Sequence, residues 1–279
     1  MPTALLVSPH LDDAAFSCGG AAALLSRAGW RVMLATAFTA SVPDPRGFAL
    51  ACQTDKDIPP QADYMALRRA EDGAACRELG AEPVHLPHPE APHRGYESAP
   101  ELFSGVQASD EAHLELQQSI ITVTQDLEPE LIFAPQGLGG HVDHLQVIRA
   151  LEAADEDVPN LKRRILHYRD LPYAMREPSA TPYRRIPELV ETVVGVQDHL
   201  SAKLRSCEAY ASQLGFQFGD VQSMRDALAE FSRREGERLG GWGPAEAFLG
   251  SREAVAALRE AAGVAPRQPG NHAGSVRED

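Results

Sequence analysis

Short apolar runs alternate along most of the chain with longer segments of helical periodicity. The apolar runs predict strands at 5–7, 31–38, 84–86, 131–134, 165–168 and 192–196. The periodic segments predict helices at 14–28, 64–79, 111–127, 142–154, 198–214 and 221–238. Because strands that alternate with helices are typical of βαβ units, the sequence predicts an α/β fold: a Rossmann-like, mostly parallel sheet with helices on both faces.

Two long stretches between these elements, 41–63 and 87–110, predict loops. Connections of this length are usually functional, so we expect both to flank the binding crevice and to select the group attached to the substrate. The last residues, 266–279, are polar and rich in proline and glycine, which predicts a disordered tail. We therefore expect one α/β domain over 1–265, followed by that tail.

Composition and charge exclude several classes of protein. The 279 residues are 43% hydrophobic, which is enough for a sizeable core, and 26 basic against 40 acidic residues give a net charge of −14. This charge repels phosphate backbones and anionic lipid, so we expect neither a nucleic-acid partner nor a membrane partner. The first residues lack the basic region of a signal peptide, and the four cysteines have no metal or disulfide spacing. We therefore expect a protein of the reducing cytoplasm.

Two polar clusters directly follow predicted strands. Ser-Pro-His-Leu-Asp-Asp occupies 8–13, after the first strand, and His-Val-Asp-His occupies 141–144, after the strand at 131–134 and a glycine-rich loop. Ligands of open parallel sheets bind outside the carboxyl ends of the strands, so we expect both clusters in one crevice.

The side chains of these clusters are those of a catalytic metal site. Zn²⁺ takes imidazole and carboxylate ligands, and a catalytic site combines three protein ligands with a water. Two histidines and one aspartate satisfy that number. One carboxylate and one histidine are left as a base for the water and a cationic group for the developing oxyanion. Fe²⁺ and Co²⁺ accept the same donors, so the sequence does not select among the three metals.

Each residue of the two clusters also has a purely structural interpretation. Taken singly, an aspartate before a helix is usually an N-cap, and a histidine after a strand is usually a polar surface residue. Ser8 lies in no GxSxG motif, and the chain contains no GxGxxG or P-loop motif. A metal-dependent phosphoesterase and a non-catalytic sugar- or metal-binding module are the two alternative functions.

The motifs resemble those of the LmbE/PIG-L family of zinc-dependent N-acetylglucosamine deacetylases. The resemblance covers most of 3–250 and is carried by PHLDD at 9–13, RxxE at 68–71, HVDH at 141–144, YASQ at 210–213 and AEAF at 245–248. It implies a hydrolase that uses zinc-activated water to remove the N-acyl group, normally acetyl, from a small N-acetylglucosamine conjugate. The PHLDDA variant is similar to members that tailor natural products, including glycopeptide antibiotics.

The resemblance also implies a role for single residues. His10, Asp13 and His144 hold the zinc. Asp12 is the general base. His141 stabilises the oxyanion or protonates the leaving amine.

Two further residues are implied as substrate contacts, Arg68 to the sugar or its aglycone and Glu90 to the sugar. The structural alternatives are a surface ion pair between Arg68 and Asp72, one helical turn apart, and a solvated loop carboxylate at Glu90. Some family members carry a polarising tyrosine two residues before HxDH, where this chain has Gly139. The chain therefore recruits another group or works without one. The attached group, the acyl length and the oligomeric state are left open.

Overall fold

A seven-stranded sheet lies at the centre of the computed structural model, which describes residues 1–183, 188–240 and 243–263. The strand order is β3-β2-β1-β4-β5-β7-β6. Strands β1 to β5 are parallel, and β7 runs antiparallel to both β5 and β6. The predicted α/β class with a mostly parallel sheet is confirmed. The strands are β1 (Thr3–Ser8), β2 (Arg31–Thr36), β3 (Glu82–His85), β4 (Leu131–Pro135), β5 (Ile165–Tyr168), β6 (Val190–Gly195) and β7 (Ala245–Gly250).

Helices cover both faces of the sheet because side chains alternate between the faces along each strand. Leu6 and Leu34 face one side, which α1, α3, α8, α10 and α11 cover, whereas Leu5 and Met33 face the other, which α4 and α5 cover. The helices are α1 (Asp13–Arg27), α2 (Gly47–Thr54), α3 (Tyr64–Leu79), α4 (Ala112–Leu127), α5 (Val142–Ala154), α6 (Leu161–Arg164), α7 (Tyr173–Arg176), α8 (Leu200–Glu208), α9 (Ala211–Phe218), α10 (Val221–Arg238) and α11 (Arg252–Ala261). Two 3₁₀ helices span Ala91–His93 and Glu101–Phe103.

The sequence placed most elements correctly, but it did not predict the helices α6, α7 and α11 or the two 3₁₀ helices, and it missed three further features. Segment 41–63 contains α2, and β7 was not predicted. The helix predicted at 198–214 is two helices, α8 and α9. The Glu71 carboxylate accepts hydrogen bonds from the backbone N–H and the hydroxyl of Ser212, 2.8 and 2.7 Å long, and so caps α9 as a new helix. The predicted tail at 266–279 lies outside the described residues.

A buried ion pair accounts for the charged residue, Glu246, in strand β7. Helix α1 is interrupted at Cys18, where φ is −135°, so two N–H groups beyond the break lack helical acceptors. The Glu246 carboxylate accepts both, from Gly20 at 2.9 Å and from Ala21 at 2.7 Å. The Lys203 ammonium, 2.7 Å from Glu246, balances that charge. A charged strand residue thus caps the second half of α1.

Among the described residues, no helix combines the length and the apolar character needed to cross a membrane.

Gly80 ends α3 in the left-handed conformation, with φ of 68°, as expected for a helix C-cap.

Candidate active site

The two motif clusters meet at the carboxyl edge of the sheet. Ser8 ends β1 and the 8–13 cluster leads into α1, while the 141–144 cluster begins α5 after β4. Strands β1 and β4 are neighbours in the sheet, so His10 and Asp143, about 130 residues apart in the chain, are in direct contact. A cleft opens over the clusters, with a volume of about 150 Å³.

His10 is held between two carboxylates. Its Nε2 lies 2.8 Å from Oδ2 of Asp143, and its Nδ1 lies 3.1 Å from Oδ2 of Asp13. Arg94 in turn lies 2.7 Å from Oδ1 of Asp143, so this carboxylate is neutralised and fixed. One imidazole nitrogen is therefore occupied by an orienting carboxylate and the other faces Asp13.

His144 has the same arrangement on the opposite side of Asp13. Its Nδ1 lies 2.6 Å from Oδ1 of the buried Asp170, and its Nε2 lies 3.2 Å from Oδ2 of Asp13. This Nε2 is buried and has no well-oriented hydrogen-bond partner among the described residues. An imidazole that donates one N–H to a carboxylate and leaves the other nitrogen unpaired is the usual form of a metal ligand.

The donor set fits a divalent metal. Oδ2 of Asp13 lies close to one nitrogen of each of the two histidines, which gives two imidazoles and one carboxylate at one point. Ring nitrogens of His10, His141 and His144 also lie within 4.8 Å of one another. His141 is therefore a structural alternative to Asp13 as third ligand.

The electrostatics of the cluster indicate a strongly coupled site. Although burial lowers the pKa of His144, Asp13 and Asp170 raise it to about 9. Burial alone would raise the pKa of Asp13, but the neighbouring His144 and His10 hold it well below its usual range. The histidines and Asp13 thus attract each other tightly, and a cation placed between them replaces protons on imidazole nitrogen.

Asp12 is buried beside this cluster and is not one of the converging donors. Its Oδ2 accepts a hydrogen bond from Gln217 at 3.2 Å and lies 3.4 Å from the Arg68 guanidinium. Burial raises the pKa of Asp12 to about 7, partly offset by the charge of Arg68 and increased by that of Asp13. A carboxylate with such a pKa both accepts and returns a proton near neutral pH.

The surroundings of His141 favour a neutral imidazole over the cationic group expected from the sequence. It is the N-cap residue of α5, and its Nδ1 accepts a hydrogen bond from the backbone N–H of Asp143 at 3.2 Å. Burial, then the charge of His10, lowers the pKa of His141 to about 3. The proton of the neutral ring is therefore on Nε2, where it can be donated.

Arg68 and Glu90 both line the cleft, but they also bind each other. The Arg68 guanidinium lies 2.8 Å from Glu90 through one nitrogen, and the other donates to the Leu11 carbonyl at 2.9 Å. The alternative pair with Asp72 does not form, because Asp72 lies 2.8 Å from His85 and accepts from the Tyr210 hydroxyl. Arg68 thus fixes Asp12 in addition to facing the cleft.

We expect Arg68→Ala to lower kcat by roughly 10–150-fold, since a hydrogen bond to a charged group is worth about 1.5–3 kcal/mol. The loss falls on kcat because the ion pair with Asp12 supports the chemical step. Glu90→Ala is the matched control and is expected mainly to raise KM. Steady-state kinetics on one substrate separates the two effects. A rise in KM alone for Arg68→Ala would show that it only binds substrate.

Three residues near the cluster were missed by the sequence analysis. Asp170 orients His144, Gln217 binds Asp12, and Tyr173 packs its ring edge-on against His144 at 5.4 Å between centroids. Asp170 lies two residues beyond the end of β5, at the carboxyl edge of the sheet, so the strand-end rule that located the motifs could have found it. Gln217 and Tyr173 carry no sequence signal.

Comparison with known proteins gives the family. Residues 5–154 match the family described as PIG-L: GlcNAc-PI de-N-acetylase. The 2′-N-acetylparomamine deacetylase of Streptomyces fradiae is 32% identical over 236 residues, covering 82% of this chain and 78% of that protein. The 1D-myo-inositol 2-acetamido-2-deoxy-alpha-D-glucopyranoside deacetylase of Actinosynnema mirum is 24% identical over 247 residues, covering 76% of this chain and 81% of that one. The solved zinc-inhibited form of teicoplanin deacetylase has a TM-score of 0.73 and 25% identity, covering 88% of this chain and 97% of that chain.

The matched residues 5–154 contain both strand-end clusters, and the relatives are named deacetylases, which break an amide carbon–nitrogen bond. The resemblance found in the sequence is confirmed. The chain belongs to the PIG-L family and is a deacetylase.

Proposed function

We propose that the chain removes the acetyl group from an N-acetylated amino sugar in a small conjugate, using Zn²⁺ held by His10, Asp13 and His144. The observation that carries this proposal is the convergence of two imidazole nitrogens on one carboxylate oxygen, 3.1 and 3.2 Å away. Each imidazole is oriented by a further carboxylate, His10 by Asp143 and His144 by Asp170. The buried Asp12 beside them supplies a base that a mere binding site does not need.

The residues of the cleft divide the hydrolysis between them. When bound there, Zn²⁺ supplies Lewis acidity, which lowers the pKa of a water and polarises the acyl carbonyl. Asp12 accepts a proton from the water whose oxygen forms the new bond to the acyl carbon. His141 donates its Nε2–H to the carbonyl oxygen as that atom gains charge. Asp12 returns the proton to the sugar nitrogen as the carbon–nitrogen bond breaks, giving a free amine and acetate.

The substrate class is supported by the named relatives. One acts on 2′-N-acetylparomamine and another on a 2-acetamido-2-deoxy-glucopyranoside of myo-inositol. The first name gives an N-acetyl compound, and the second gives an acetamido sugar joined to myo-inositol. We infer that this chain acts on the same class, with Arg68 and Glu90 facing the sugar. The free state of the four cysteines agrees with a reducing compartment.

The two alternative functions have less support. A two-metal phosphoesterase needs carboxylates for a second metal close by. Within the described residues, the group of side chains able to hold a metal is the histidine cluster of this one site. A binding module needs no Asp12, and the named relatives are enzymes.

The metal assignment predicts a clear difference between two neighbouring histidines. His144→Ala is expected to lose the bound metal and the activity, because Nε2 of His144 is one of the converging donors. His141→Ala is expected to keep the metal and lose mainly kcat, by about 10²–10³-fold, as when an oxyanion donor is removed. Elemental analysis measures the first effect, and acetate release from N-acetylglucosamine conjugates, with and without chelator, measures the second. Full metal content in His144→Ala would contradict the ligand set, and loss of metal in His141→Ala would favour the three-histidine alternative.

A further inference from the structure

The cleft has two unlike sides. One side carries the polar side chains of Arg68, Glu90, Gln213 and Gln217, with the rings of Tyr64 and Phe216 beside them. The other side is lined by Leu102, Pro172 and Tyr173, with Phe103 packed against Tyr173 at 5.8 Å between ring centroids. We call Phe103 and Tyr173 the aromatic wall. An N-acetylated sugar also has a polar part and an apolar part: the ring carries hydroxyl groups, and the acyl carbon carries a hydrocarbon group.

The aromatic wall touches the catalytic histidines directly. The Phe103 ring meets the His141 ring edge-on at 5.3 Å between centroids. Phe103 is nevertheless 46% exposed, so core packing does not account for its position. A large apolar side chain that lies against a catalytic group and remains open to solvent is available to contact substrate.

Gly139 leaves the space that Tyr173 occupies. Its φ of +83° favours glycine, and a Cβ built there would lie 2.7 Å from Cγ of Tyr173. A side chain at 139 would therefore displace the Tyr173 ring. The ring is held on its other sides by His144 and Phe103, at 5.4 and 5.8 Å between centroids. The Tyr173 ring is thus confined on several sides, and Phe103 forms the exposed edge of the aromatic wall.

We propose that the aromatic wall receives the acyl chain of the substrate and limits its length, which makes Phe103 and Tyr173 specificity-determining residues. This assignment rests on the proposed function. Hydroxyl groups of the sugar find hydrogen-bond donors and acceptors in the polar side chains of the cleft. A methyl group makes no hydrogen bond, so it packs on the aromatic carbon of the wall. The His141 ring contacts the Phe103 ring, so the residue that binds the acyl carbonyl lies beside the surface that binds the acyl methyl group. This arrangement matches an acetyl group, in which the carbonyl and the methyl group are adjacent. Because the Tyr173 ring is held in place by its neighbours, it opposes a long acyl chain.

The test is hydrolysis of one glucosamine conjugate carrying acetyl, propionyl or butyryl groups. Wild-type enzyme is expected to prefer acetyl, with kcat/KM changing by about 10–200-fold for each added methylene. Phe103→Ala opens the wall and is expected to reduce the acetyl-over-butyryl preference at least about tenfold. Tyr173→Phe keeps the ring and is expected to keep the wild-type preference.

Phe216→Ala is the matched control, since Phe216 is an exposed aromatic residue that lines the cleft near the polar side. Its acyl preference is expected to equal that of wild type. An unchanged preference in Phe103→Ala, or an equal change in Phe216→Ala, overturns the assignment of the acyl side. Release of no carboxylate by wild-type enzyme with any chain overturns the proposed function itself, and the inference with it. Circular dichroism and a thermal melt of each variant confirm that the compared proteins are folded.

Discussion

Replacing Asp12 with asparagine is expected to lower kcat by about 10²–10⁴-fold while the metal content stays that of the wild-type enzyme. Asparagine keeps the shape of the side chain and its contact with Gln217, but it cannot accept the proton of the attacking water. Asp12 is buried between Arg68 and the metal-ligand cluster. The other carboxylates that line the cleft are each bound at 3.2 Å or less to a basic side chain: Asp13 to His10 and His144, Glu90 to Arg68, and Asp143 to Arg94. Acetate release and elemental analysis on the same preparation measure both quantities.

Asp13→Asn is the matched control for this prediction. It makes the same chemical change at the next residue, but Oδ2 of Asp13 is the atom on which His10 and His144 converge. We therefore expect Asp13→Asn to lose metal and activity together. Turnover at the wild-type rate by Asp12→Asn with its zinc intact would refute the assignment of Asp12 as base.

The second large effect concerns stability. Lys203→Met is expected to lower the free energy of unfolding by about 3–5 kcal/mol, because it leaves the Glu246 carboxylate buried without a counter-charge. Lys203 is 1% exposed and Glu246 is 4% exposed, so water does not compensate for the loss. The carboxylate also holds the second half of α1, so the destabilisation reaches the helix that begins at Asp13. Urea denaturation followed by circular dichroism measures the change.

Two variants make this result interpretable. Arg205→Ala breaks an ion pair of equal length with Glu78, 2.7 Å, whose side chains are 48% and 41% exposed. Exposed pairs contribute little, so we expect a change within about 1 kcal/mol. The double variant Lys203→Met with Glu246→Gln removes the uncompensated charge and is expected to be more stable than Lys203→Met alone. A loss below about 1 kcal/mol in Lys203→Met would show that the pair is not a structural anchor.

Strong local patterns in the sequence predicted the regular elements well. Helix α3 and helix α10 begin and end where the periodicity indicated, and Gly80 ends α3 in the left-handed conformation that favours glycine. Strand β7 was missed because Glu246 is charged, and in a sequence a buried carboxylate resembles an exposed one. The break between α8 and α9 was missed for a similar reason, since the cap of α9 is Glu71 in another helix. Contacts between distant residues override local preference, and a sequence does not display them.

The sequence by itself located the two polar clusters on which the proposed mechanism rests. The clusters at 8–13 and 141–144 follow strands, and parallel strands present their carboxyl ends at a common edge, so that rule was enough to expect both clusters in one crevice. That β1 and β4 are direct neighbours is a finding of the tertiary structure. Only the tertiary structure decided the state of each group. The backbone N–H of Asp143 in α5 binds Nδ1 of His141 and favours its neutral form, and Asp170, two residues beyond β5, orients His144. The side chains that surround the clusters come from loops and helices far apart in the chain, and only the packing of those elements sets the distance, burial and charge on which protonation depends.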